Sequence, residues 1–126
     1  IVFFPPFASA VNSKMDSLGE RYSYVRVLKT KLKQMDIEYF DYTRADLIGS
    51  NDCEFIDGFH GGEITFLRIL RDMSIKTSFI GTIVDAGAID KIINTNTGMV
   101  TSTKNFPTGK FSKAAAPFIS VLTLYP

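Results

Sequence analysis

At 126 residues, 45% hydrophobic and 21% charged, the chain can bury one core and suits a single domain or a piece of one. A formal net charge of +1 gives no electrostatic reason to expect nucleic acid or an anionic membrane as partner. The single Cys53 excludes an internal disulfide framework and any cysteine-rich zinc site, and no apolar run approaches the roughly 20 residues of a membrane span.

Ile1-Val2-Phe3-Phe4 is β-branched and aromatic and reads as a short buried strand, stopped by Pro5-Pro6. No signal peptide precedes it, and a hydrophobic strand at the first residue suggests a fragment of something longer. Phe7 to Lys14 reads as a loop. From Ser17 to Met35, apolar side chains at Leu18, Tyr22, Val25, Leu28, Leu32 and Met35 recur at steps of three and four, predicting one amphipathic helix. Ser17 and Glu20 have the spacing of a capping box at its start. Arg26, Lys29, Lys31 and Lys33 then form its solvated face rather than a phosphate-binding patch.

Ile37 to Thr43 reads as a second strand, and strand, helix and strand in close succession predict a βαβ unit with a parallel sheet. Arg44 to Glu54 is expected to be mostly loop, with Arg44 exposed and Asp41 capping the strand end. A helix is predicted from Gly62 to about Met73 and another from Asp85 to Asn94, the latter ended near Gly98. Residues 1–100 are therefore expected to form part of an α/β domain. Residues 101–126 read as a tail, either an edge strand or a docked segment, and no internal repeat is visible.

The most chemically loaded segment is Phe55-Ile56-Asp57-Gly58-Phe59-His60-Gly61-Gly62-Glu63, which holds the chain's one histidine. Histidine alone has an unperturbed pKa near neutrality, which suits it to proton transfer. Asp57, three residues earlier, can fold back on one ring nitrogen and fix the tautomer, leaving the other nitrogen as a base. Gly61 and Gly62 allow a tight turn and close approach of a ligand or another chain segment. The opposing account makes His60 structural, Phe59 a packing wedge, and Glu63 a partner of the helix dipole. Asp57, His60 and Glu63 also make an O/N/O set, but one imidazole without thiolates is a poor transition-metal site, and no metal is predicted.

Asp57-Gly58-Phe59-His60 resembles the Asp-x-x-His block that closes the catalytic triad of the SGNH (GDSL-type) hydrolase superfamily. In order along the chain, Phe3-Phe4-Pro5-Pro6, a long helix, Tyr39-Phe40-Asp41-Tyr42 and the Asp-x-x-His block resemble the C-terminal half of one branch. That branch includes the D-alanyl transfer protein of teichoic acid synthesis and alginate-acetylation proteins. The resemblance covers about residues 1 to 95. It implies a partial three-layer α/β/α fold, flavodoxin-like and of SGNH type, with a parallel sheet and the N-terminal half missing. It also implies His60 as catalytic base, Asp57 as its orienting partner, no cofactor, an extracytoplasmic location, and a small-molecule or polysaccharide acyl ester as substrate. The family's Gly-Asp-Ser motif is absent from this chain, and Gly49-Ser50-Asn51-Asp52 has similar letters in the wrong order. The nucleophilic serine is therefore expected upstream of Ile1, and this chain alone is expected to be inactive. The alternative is a non-catalytic α/β module that binds glycans or proteins. The sheet edge that a half-domain would leave exposed predicts self-association.

Overall fold

A computed structural model describes residues 1–102. Its sheet has two short strands, Phe3–Phe4 (β1) and Phe40–Asp41 (β2), paired in parallel with Phe3 opposite Phe40 and Phe4 opposite Asp41. The ladder continues loosely past the strand ends: the Tyr42 amide donates to the Phe4 carbonyl at 3.2 Å and the Phe7 amide to the Thr43 carbonyl at 3.3 Å. The expected parallel pairing is present, but only two residues of the predicted strand Ile37–Thr43 belong to it. Beyond Thr43 the chain bends into two 3-10 turns, Ala45–Ile48 and Asp52–Glu54. A helix-rich α/β fold results, with a small parallel sheet.

The single helix predicted over Ser17–Met35 is two helices, α1 (Ser9–Ser17) and α2 (Tyr24–Gln34), joined by a 3-10 turn at Gly19–Tyr22. Ser17 does not cap the second helix. It closes the first, its hydroxyl donating to the Lys14 carbonyl at 2.6 Å. Gly19 comes next but one at φ +58, a left-handed conformation that an α-helix cannot continue through and that glycine adopts without steric cost. The predicted loop Phe7–Lys14 is thus largely α1. Its N-cap position, Ala8, has no side chain to offer, and the cap comes instead from Asp52. A cap supplied from across the fold leaves no mark in the local sequence.

The apolar stripe of α2 is helical in spacing but is not buried. Leu28 is 47% and Met35 67% exposed, and no residue of α2 is buried. Strands of two residues offer no face broad enough to cover a helix of 11. The core lies instead on the other side of the sheet. Tyr42, Ile69, Met73 and Ile80 form one buried cluster, flanked by Phe40, Ile48, Phe66 and Val84. A second cluster of Ala8, Ala45 and Phe55, with Val11 against it, joins the start of α1 to the loop before His60.

Two further helices, Glu63–Lys76 (α3) and Ala86–Asn96 (α5), match the predicted segments with longer C-terminal ends. Asp85 caps α5 by accepting from the Ala88 amide at 2.9 Å, and Gly98 ends that region at φ +81. Between them lies a short helix, α4 (Ser78–Ile83), which the sequence did not suggest. None of the helices among the described residues is long and apolar enough to cross a membrane. Apart from Thr101 and Ser102, the predicted tail 101–126 lies outside the described residues.

Glu54 is wholly buried, and Arg68 of α3 grips it with two hydrogen bonds of 3.0 and 2.9 Å. The Ser50 hydroxyl (2.8 Å) and the Gly98 amide (3.0 Å) complete the shell. Burial pushes this carboxyl toward the neutral form, but the Arg68, Gly98 and Ser50 hydrogen bonds outweigh it and hold the pKa below its ordinary value. A depressed folded-state pKa contributes stability that is present above the unfolded value of 4.5 and is lost as pH falls through the folded one. Urea denaturation should therefore show stability falling as the pH is lowered below that value. Arg68→Met should cost about 3–5 kcal/mol at pH 7 by stranding a buried carboxylate, and much less at acid pH. An unchanged midpoint at pH 7 would contradict this account.

Candidate active site

The loop that carries Asp57 and His60 is closed at its base by Glu54, whose carbonyl accepts from the Gly62 amide at 2.7 Å. One step up, Phe55 and Gly61 form an antiparallel bridge, and the Ile56 amide donates to the His60 carbonyl at 2.9 Å. Gly58 crosses the tip at φ +85. A Cβ there would come within 2.8 Å of Val11 Cγ2, so both the conformation and the space select glycine. The result is a tight hairpin-like loop with the aspartate and histidine at its tip.

Asp57 is fully engaged. Its Oδ1 accepts the backbone amides of Phe59 at 3.0 Å and His60 at 2.8 Å, the local turn that a short carboxylate side chain favours. Its Oδ2 lies 2.6 Å from His60 Nδ1. The His60 ring bond, then the His60 and Phe59 amides, hold the Asp57 carboxyl below its usual pKa. At neutral pH it is an anion that can only accept, so Nδ1 must carry the proton and donate. In the neutral imidazole this leaves the lone pair on Nε2. The His60 side chain is 71% exposed, which puts this nitrogen within reach of solvent or a partner group. The sequence-predicted pair is thus together, in the geometry expected of an oriented base.

Other predicted roles resolve differently. Ser50 is buried, its hydroxyl 2.8 Å from Glu54 and 2.7 Å from Thr65 Oγ1, so it belongs to the buried network and not to the dyad. Glu63 stands in the first turn of α3, where it accepts from the Ser102 amide and hydroxyl, both at 2.8 Å. It does not join Asp57 and His60, and among the described residues no cluster with metal-ligand geometry is present. Gly62 makes a close approach to another chain segment: a Cβ there would collide with the carbonyl oxygens of Val100 and Glu54. Phe59 is half-exposed and meets the Phe7 ring edge-on with centroids 6.1 Å apart, so it braces the loop against the end of β1.

Phe7 also lines a cleft of about 650 Å³ between α1, α2 and the segment 39–44. The cleft lies past the C-terminal ends of the parallel strands, where ligands collect in open α/β sheets. On its floor Lys29 pairs with Asp41 at 2.6 Å and with the Thr43 hydroxyl at 3.0 Å, and Asp41 accepts from the Thr43 amide and hydroxyl. Asn12 bridges the Phe7 and Thr43 carbonyls at 3.1 and 2.7 Å. Sequence reasoning missed Asn12 and put Lys29 on the solvated face of its helix. The Lys29 side chain is instead 21% exposed and turned onto Asp41 and the Phe4 ring, because only the packing of α1 and α2 over the strands makes these residues neighbours. Arg44, expected in solvent, is exposed and pairs with Asp46 at 2.8 Å.

The chain matches no family model, no curated protein and no solved structure. The geometry of the site is therefore the guide to its chemistry.

Gly58→Ala should lose about 1–2 kcal/mol from the left-handed backbone alone, with the Val11 contact adding to it; chemical denaturation measures this, and a neutral result would contradict the geometry. The Asp57 carboxyl, observed by carbon NMR, should titrate below the ordinary aspartate range, and the stability it adds should fade as pH drops through that lowered value. In His60→Ala its titration should move back up.

Proposed function

We propose that this chain is the C-terminal part of an SGNH-like serine esterase or O-acyltransferase acting on acyl esters of cell-wall or other polysaccharides. One observation carries the reading: Asp57 Oδ2 stands 2.6 Å from Nδ1 of an imidazole whose other nitrogen is open. A purely structural histidine would be expected in a closed, backbone-bonded setting. The two-stranded parallel sheet is compatible with one edge of a three-layer α/β/α domain.

In this reading His60 Nε2 takes the proton of a serine hydroxyl that this sequence does not supply. The serine oxygen attacks the acyl carbonyl, and the imidazolium, stabilised by Asp57, returns the proton to the departing alcohol. An acyl-enzyme is left. Water or a sugar hydroxyl then gives its proton to His60 and takes the acyl group, and the serine is reprotonated. The cleft beside Phe7 is lined by neither Asp57 nor His60, so in this reading it would hold a part of the accepting chain remote from the reacting group. An extracytoplasmic location and self-association through the open sheet edge belong to the same proposal. The competing reading, a non-catalytic glycan- or protein-binding module, draws on the engagement of Ser50 in the buried network.

Hydrolysis of p-nitrophenyl acetate by the gene's full-length product, beside its His60→Ala variant, decides between them. Loss of a base of this kind should lower kcat by about 100- to 10,000-fold. Equal rates in the two proteins, or none in either, would leave His60 structural and favour the binding module.

A further inference from the structure

The loop holding the dyad and the turn that precedes it are tied to α1 at three successive amides. The Ala8 amide donates to the Gly58 carbonyl at 2.9 Å. The Ser9 and Ala10 amides donate to the two carboxylate oxygens of Asp52, at 2.6 and 3.1 Å. These are the N-cap and first two helical positions, whose N–H groups have no partner inside the helix. The N-cap residue is an alanine and cannot satisfy them. A carboxylate is the best substitute, since it accepts twice and meets the positive end of the helix dipole.

Asp52 is held from its own side as well. It opens the 3-10 turn Asp52–Glu54, whose N-cap Asn51 accepts from the Cys53 amide at 3.0 Å. Two residues on, Glu54 fixes the base of the dyad loop on α3. The loop is therefore clamped at its root by Glu54, while Asp52 and Gly58 fasten its flank and tip to α1. Val11 fills the remaining gap under Gly58.

We infer that Asp52 is a positioning residue for His60: by capping α1 from across the fold it holds the Asp57–His60 loop at one fixed place against β1 and α1. It touches neither ring nor substrate, and acts only through the helix it caps. The inference rests on the proposed esterase dyad for its catalytic consequence, but its structural part stands by itself.

The test uses the full-length protein and two readouts. Asp52→Ala should lower kcat for p-nitrophenyl acetate by about tenfold to a hundredfold, the scale of an ångström-level misplacement, with KM within about twofold. Asp52→Asn, which keeps one acceptor, should recover part of the loss. Nitrogen-15 NMR of the His60 imidazole should show one Nδ1–H tautomer in the parent and a mixture in Asp52→Ala. Tyr42→Phe, which removes the 2.7 Å bond to Asp72 in the other cluster, is the control for destabilisation alone and should change neither readout. A kcat within twofold of the parent, a loss matched by Tyr42→Phe, or an unchanged tautomer in Asp52→Ala would each overturn the inference. If the parent and His60→Ala hydrolyse the ester equally, the esterase reading fails, and the tautomer measurement alone still decides the role of Asp52.

Discussion

The base of the loop that carries Asp57 and His60 depends on one buried ion pair. Glu54 is withdrawn from water completely, and such a carboxylate is tolerated only when its charge and lone pairs are fully met. Arg68, Ser50 and Gly98 meet them, drawing α3, the 45–50 turn and the end of α5 onto one residue. The same residue's carbonyl closes the loop through Gly62 and accepts from the Thr65 hydroxyl at 3.3 Å. With the charge satisfied, the loop that leaves Glu54 starts from a fixed point. Without it, three elements would lose their common anchor at once.

At the loop tip the physics is different. Asp57 and His60 are both half-exposed or more, so Coulomb attraction between them is screened and contributes little to stability. Their alignment comes from backbone geometry. Asp57 is locked by two amides of the turn it initiates, and Gly58 supplies a conformation that other residues resist. The imidazole therefore meets a carboxylate that is already in place. Orientation is provided by the chain and not by the charge.

The rest of the molecule is uneven in its packing. The α3, α4 and α5 side of the sheet is well filled around Tyr42 and Ile69. The α2 side is thin, held by Lys29 on Asp41 and over the Phe4 ring at 5.2 Å, with the helix's apolar stripe open. The cleft lies on the polar side of that helix, lined by Arg26, Lys29, Thr30 and Lys33 rather than by the exposed Leu28 and Met35.

The sequence by itself determined whatever depends on near neighbours. The parallel β1 and β2, the helices α3 and α5, and the Asp57–His60 contact were all legible, because strand chemistry, helical period and an aspartate's local turn act over a few residues. The break at Gly19 was also written there, yet the continuous apolar spacing on both sides masked it. Only the tertiary structure decided the rest. The cap on α1 comes from 43 residues away, the carboxylate of Glu54 is met by three other parts of the chain, and no residue of the α2 stripe is buried. Burial and long-range hydrogen bonds depend on which surfaces meet, and a pattern of residue types fixes a surface's character without fixing what lies against it.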